Sequence, residues 1–275
     1  MKKLLQASVI GLLSLSVSTA LYAKSDDAPA KDHGSDHKQE KASDTHAGHG
    51  EIHWEYDGIG GPKNWGKIKG EYRACRLGKF QSPVDLKETI DADLPTLAID
   101  YKPVPLTILN NGHTVQVNYK PGSTMMVDGQ VFNLLQFHFH TPSEHTINGK
   151  SFDMELHFVH ATKDGRLGVL GVMIEEGAYN PAAQRIWNHM PMHKADAVTH
   201  KGVSLDVSGL LPEKREYFRL MGSLTTPPCS EGVNWHVLAK PIEFSAKQIK
   251  KFQQAFSMNA RPVQPINSRL IVKDD

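Results

Sequence analysis

Two strands can be read from residues 136–160, QFHFHTPSEHTINGKSFDMELHFVH, because apolar and polar side chains alternate there with a period of two. In the first run Gln136, His138 and His140 share one face, while Leu135, Phe137 and Phe139 share the other. In the second run Asp153, Glu155, His157 and Val159 oppose Phe152, Met154, Leu156 and Phe158. Between the runs lie Pro142 and an Asn148-Gly149 pair, a turn signal that joins antiparallel strands. Folding one run against the other buries an aromatic face and gathers His138, His140 and His157 above the opposite face.

The rest of the chain is punctuated in the same way. Short β-rich runs at 106–119, 124–129, 165–177 and 235–244 are separated by Gly, Pro, Asn and Asp. Helical spacing is confined to Pro181–Met190 and Ser245–Phe256, where Ile249, Phe252 and Phe256 recur. The expected fold is α+β but predominantly β. It is a single domain over 51–275, built around a large, mostly antiparallel twisted sheet with a few short peripheral helices. At 275 residues the chain can bury a sizeable core, and a formal net charge of +1 gives no footprint for nucleic acid.

Two lysines and the apolar, small-residue-rich run Leu4–Leu21 match a secretory signal over 1–23, with cleavage after Ala20 or Ala23. An uncleaved anchor is the alternative, since the run approaches spanning length. Its Ser and Thr content and its small terminal residues favour cleavage. No later segment is apolar enough to span a bilayer, so a periplasmic or secreted protein without stable membrane insertion is expected. Residues 24–50 contain no Leu, Ile, Val, Phe, Tyr or Trp and are expected to be disordered. The histidines at 33, 37, 46 and 49 within that segment fit either a metal-binding tract or a solvated linker. Cys75 and Cys229 are the only two cysteines. In an oxidising compartment an even count favours a disulfide over two buried thiols.

Three imidazoles and no thiolate have a chemical meaning. Structural zinc sites normally fill all four positions, whereas catalytic ones keep one open. Neutral ligands leave Zn2+ its full double charge, which acidifies a water in that open position. Gln136 and Glu155, on the same faces, are candidates for orienting the ligands. The spacing His138-x-His140-x3-Glu144 also matches part of the cupin metal motif. The flanking glycines and later P-x-G-x-x-H element of cupins are absent here.

From 53 to 272 the sequence resembles the α-class carbonic anhydrases, in particular the exported bacterial branch. The resemblance rests on an ordered series: HWEYDG, GPKNWG, QSPVDL, LNNGH, QFHFHTPSEH, ELHFVH, GSLTTPPCSEGVNW and NARPVQPINSR. It implies reversible hydration of CO2 to bicarbonate and a proton, with weak esterase activity. Zinc would be held by His138, His140 and His157, and Gln136, Glu155 and backbone groups would orient them. Thr225 would accept from zinc-bound hydroxide while donating to Glu144, so that its hydroxyl can only accept from the nucleophile. Thr226 would shape the polar wall, and Val159, Val169, Leu224, Val233 and Trp235 an apolar pocket suited to CO2. His113 would be the proton shuttle, a partly exposed imidazole titrating near neutral. The resemblance also implies cis bonds at Ser82-Pro83 and Pro227-Pro228. His145, His160 and His236 are read as hydrogen-bonded structural groups. Leu220 departs from the aromatic common at its position. The implied partners are CO2, water and bicarbonate, and a homodimer is compatible with the resemblance. The competing class is a non-catalytic zinc-storage protein, which would bind several metal equivalents per chain.

Overall fold

The computed structural model describes residues 52–274; the signal segment and the His-rich tract expected over 1–50 lie outside the described residues. The chain first forms two single-turn helices, α1 (Trp65–Ile68) and α2 (Ala74–Leu77). Strands β1 (Asp85–Leu86), β2 (Ile90–Ala92), β3 (Ala98–Asp100), β4 (Val104–Asn110), β5 (Val115–Asn118), β6 (Thr124–Val127) and β7 (Gln130–His140) follow. Next come β8 (Thr146–Ile147), β9 (Met154–Ala161), β10 (Leu167–Glu176), α3 (Pro181–Trp187), β11 (Ala195–Leu205) and β12 (Tyr217–Ser223). The chain ends with β13 (Glu231–Leu238), β14 (Ile242–Phe244), α4 (Ala246–Ala255) and β15 (Val272–Asp274).

Thirteen strands form one sheet among the described residues, with the spine β11-β4-β5-β7-β9-β10-β13-β12-β15-β2. Most pairs are antiparallel, as expected; β10 with β13, β10 with β14 and β15 with β2 are parallel. The histidine strands β7 and β9 lie at its centre. One face carries Phe137, Phe139, Leu156 and Phe158 into the larger core, beneath Ile186 and Trp187 of α3 and Ile249 and Phe252 of α4. Each such side chain contributes about 1.5–3 kcal/mol when fully buried. The second core, on the histidine side, contains Val169, Leu220, Val233, Trp235 and Val237.

Both expected helices form: α3 starts at Pro181 as expected and ends three residues early, and α4 is one residue shorter at each end. Asn180 caps α3 by accepting from Ala183 N at 3.0 Å, with Pro181 in the first turn. Ser245 and Gln248 make a capping box on α4. Gln248 then joins the helices, its Nε2 donating to Asn180 O at 2.7 Å while its carbonyl accepts from Trp187 Nε1 at 3.0 Å.

Several details differ from the sequence reading. A bulge between Leu134 and Gln136 buries Leu134 and exposes Leu135, which therefore leaves the Phe137 face. Phe152 lies before β9 and joins the histidine-side core. Strands β11 and β12 were not anticipated. β11 is a largely exposed edge strand with two register shifts, so it lacks the alternation that marks a half-buried strand. The cis bonds expected at Ser82-Pro83 and Pro227-Pro228 are present, and Thr141-Pro142, which was not anticipated, is cis as well.

His236 is a further correction. It is fully buried on β13, yet neither ring nitrogen has a partner in hydrogen-bonding geometry. Burial, then the nearby Arg219 and His160, push its pKa down to about 3, against a slight opposing effect of Asp128 and the Val169 backbone. The unfolded chain binds this proton below about pH 6.5 and the folded chain does not, so stability falls as pH drops from 6.5 towards 3. His236→Leu removes an unpaired polar group and this proton uptake. It is expected to raise stability by about 1–2 kcal/mol at pH 7 and by more at pH 5, checked by denaturant unfolding at both pH values.

Candidate metal centre

The register of β7 and β9 sets His138 directly opposite His157, His140 opposite Glu155 and Gln136 opposite Val159. The three ring centroids are 4.6–5.4 Å apart, and one nitrogen from each ring lies within 4.8 Å of the others. The remaining nitrogen of each ring is already engaged. His138 Nδ1 donates to Gln136 Oε1 (2.9 Å), His140 Nδ1 to Asn259 O (2.7 Å) and His157 Nε2 to Glu155 Oε1 (2.8 Å). These bonds fix the tautomers and leave the lone pairs of His138 Nε2, His140 Nε2 and His157 Nδ1 to converge. His140 Nε2 is buried with no hydrogen-bond partner, which suits a nitrogen whose lone pair serves a metal ion.

The electrostatics favour the neutral, ligating form at His138 and His140 and the charged form at His157. Burial, reinforced by neighbouring imidazoles, lowers the pKa of His138 well below normal and outweighs the carboxylates that favour charge on His140. At His157 burial opposes charge, but Glu155 and Glu144 together outweigh it and raise the pKa. Glu155 is itself buried, which disfavours its charge, but His145 and His157 overcome this and hold it ionised. It accepts four bonds at 2.8 Å: His145 Nδ1 and His157 Nε2 on Oε1, and the backbone N–H groups of Glu144 and His145 on Oε2. A carboxylate so occupied is an orienter. The alternative grouping of His145, Glu155 and His157 is therefore a hydrogen-bond hub. Three neutral nitrogen donors fit Zn2+ or a similar borderline divalent ion.

The loop from Leu224 to Cys229 follows β12. Thr225 is buried, and Thr226 beside it is partly exposed. Glu144 Oε1 accepts from Arg261 N at 2.8 Å, while Oε2 lies 3.5 Å from His140 Nε2 and has no hydrogen-bond partner. The expected Thr225–Glu144 bond is therefore not formed in this structure. The Cys75–Cys229 disulfide is present, with Cα atoms 5.0 Å apart, and Gln81 Nε2 donates to Cys229 O at 3.0 Å. Val159, Val169, Leu224, Val233 and Trp235 join one apolar cluster, and the Trp235 ring meets His157 edge-on at 4.9 Å.

The sequence reading assigned no role to Asn259 or Arg261, though both lie in the quoted NARPVQPINSR block. Asn259 is fully buried and bonded at every polar group. Its carbonyl holds His140, Oδ1 accepts from Thr141 N, and Nδ2 donates to Phe139 O and His113 O. Arg261 ties Gln81, Ser82 and Cys75 together beneath Glu144.

His113 differs most from its expectation. It lies flat on Trp54, with centroids 3.6 Å apart, and burial, His53 and Lys194 push its pKa down to about 4. His145 donates to Glu155, and His160 meets the Tyr101 hydroxyl at 2.8 Å, so both are hydrogen-bonded as expected.

Fold and site together define a β-sheet protein with a three-histidine cluster, a candidate metal centre, backed by a carboxylate and an amide. A family profile described as eukaryotic-type carbonic anhydrase matches residues 60–275. A carbonic anhydrase from Nostoc sp. is 45% identical over 227 residues, covering 81% of this chain and 86% of the relative. One from Neisseria gonorrhoeae is 45% identical over 230 residues, covering 82% and 90%. The solved structure of a hyperthermostable carbonic anhydrase identified from an active hydrothermal vent chimney matches with a TM-score of 0.78 at 48% identity. It covers 81% of this chain and 100% of that one. The chain belongs to the eukaryotic-type, or α, carbonic anhydrase family, a family of enzymes of CO2 hydration. Among the described residues no helix is long and apolar enough to cross a membrane.

Proposed function

We propose that this protein is an exported, zinc-dependent enzyme that hydrates CO2 reversibly to bicarbonate and a proton. The observation that carries the reading is the convergence of three imidazole nitrogens whose opposite ring positions are committed to Gln136, Asn259 and Glu155. His138, His140 and His157 would hold Zn2+, which when bound supplies a Lewis acid that makes water nucleophilic near neutral pH. Val159, Val169, Leu224, Val233 and Trp235 offer CO2 an apolar wall with no competing hydrogen bonds. Thr225 would supply the hydroxyl that accepts from the nucleophile while donating to Glu144, whose Oε2 has no other hydrogen-bond partner. Thr226 lines the polar side, and His113 carries the released proton outward. The same site would cleave activated esters slowly. The disulfide supports export.

Stopped-flow CO2 hydration with metal analysis tests this reading. One tightly bound zinc per chain is expected, and removing it with a chelator should abolish hydration until zinc is restored. A protein that retains one zinc without hydration, or binds several without it, would overturn the reading in favour of metal storage.

A further inference from the structure

His113 is not the last imidazole before solvent. Its Nδ1 is buried without a hydrogen-bond partner, and its Nε2 lies 3.3 Å from His53 Nε2. His53 is exposed, one residue before the Trp54 ring on which His113 lies, with the two imidazole centroids 5.2 Å apart. Two neutral imidazoles in this arrangement share one N–H···N bond, one ring donating and the other accepting.

We propose that His53 and His113 form a two-imidazole proton relay, in which His113 passes the proton and His53 holds it for transfer to buffer. The proposal rests on the hydration reading above. The proton balance is simple. A proton taken up at His113 Nδ1 displaces the Nε2 proton onto His53 Nε2, and His53 releases its Nδ1 proton to a buffer base. The rings end in the opposite tautomers, with His53 now the donor, and reset by exchange with water.

The surroundings divide the labour. With a pKa of about 4, His113 carries a proton at pH 7 only about one part in a thousand of the time, so it conducts well but stores poorly. His53 is exposed, so a buffer base can reach its ring. The titratable and charged groups facing the pair are Glu55, Tyr56 and Lys194. Glu55 Oε2 is 3.8 Å from His113 Nδ1 and favours charge on the pair. The Tyr56 ring is 6.4 Å from His113, and burial pushes its hydroxyl pKa well above normal, so it stays neutral. Lys194 approaches from the Gly112 side and opposes charge on His113.

The test is His53→Gln, an exposed change that keeps polarity but cannot carry a proton. In dilute buffer kcat is expected to fall about tenfold, with kcat/KM within about twofold and kcat restored by added imidazole. A merely structural role would not produce that split or that rescue. In the metal-free protein, 15N NMR of the imidazoles should show the two rings titrating together, with the His113 pKa rising when His53 is replaced. An active wild-type protein whose variant keeps its kcat, or rings that titrate independently, would overturn the relay alone. A wild-type protein that hydrates no CO2 would overturn the hydration reading and the relay with it.

Discussion

Replacing His157 with alanine should weaken metal binding by of the order of 10³-fold. Each of three donors carries about 4 kcal/mol of a zinc affinity of roughly 10–16 kcal/mol. CO2 hydration should fall to that of the metal-free protein under the same conditions. The fold should survive, because Glu155 keeps both backbone N–H groups and His145 Nδ1 when it loses His157 Nε2. The buried carboxylate thus remains hydrogen-bonded at both oxygens, and a cooperative unfolding transition is expected. Gln136→Ala provides the contrast. It removes only the acceptor that orients His138, and a loss of about 10–100-fold is expected. Competition with a chelator of known affinity measures both. Equal affinities for wild type and His157→Ala would remove His157 from the centre.

The second large effect concerns the disulfide. Cys75 and Cys229 are 154 residues apart, so their bond closes most of the described chain into a loop. In the chain-entropy model that restriction of the unfolded state is worth about 5 kcal/mol, and removal of native disulfides costs about 2–5 kcal/mol. The Cys75→Ser/Cys229→Ser protein should therefore melt roughly 10 °C lower, and the same decrease should follow chemical reduction of the wild type. Activity at 25 °C should change only a few-fold. The Thr225 loop retains the Gln81 bond to Cys229 O and the Thr226 carbonyl bond from Cys229 N, while Arg261 holds Gln81 and the Cys75 carbonyl. An unchanged melting temperature would mean that the unfolded chain gains little freedom when the loop is opened.

The strands that carry the centre were legible because both of their faces are constrained. Phe137, Phe139, Leu156 and Phe158 must be buried, and the alternation then places the histidines opposite them. β11 was not legible, because an exposed edge strand with register shifts has no face to advertise. The Leu135 position was misjudged because a bulge resets the alternation by one residue and leaves no local signature. The pairing of the two cysteines was expected from their even number and the export read from the N-terminal segment, and the structure forms that bond.

The sequence alone determined the histidine trio, its two orienting side chains and the sheet that presents them, since these depend on period-two patterning within 25 residues. Tertiary structure decided how the trio is completed and how it communicates with solvent. Asn259 reaches His140 from 119 residues away, the Arg261 backbone reaches Glu144 from 117, and His53 meets His113 from 60. Contacts between such distant segments leave no periodicity in either one. The same packing buries His113 against Trp54 and turns an ordinary turn histidine into a poor proton store beside an exposed one. Solvation at a site is set by everything that packs around it, so its proton affinity emerges only after the chain has folded.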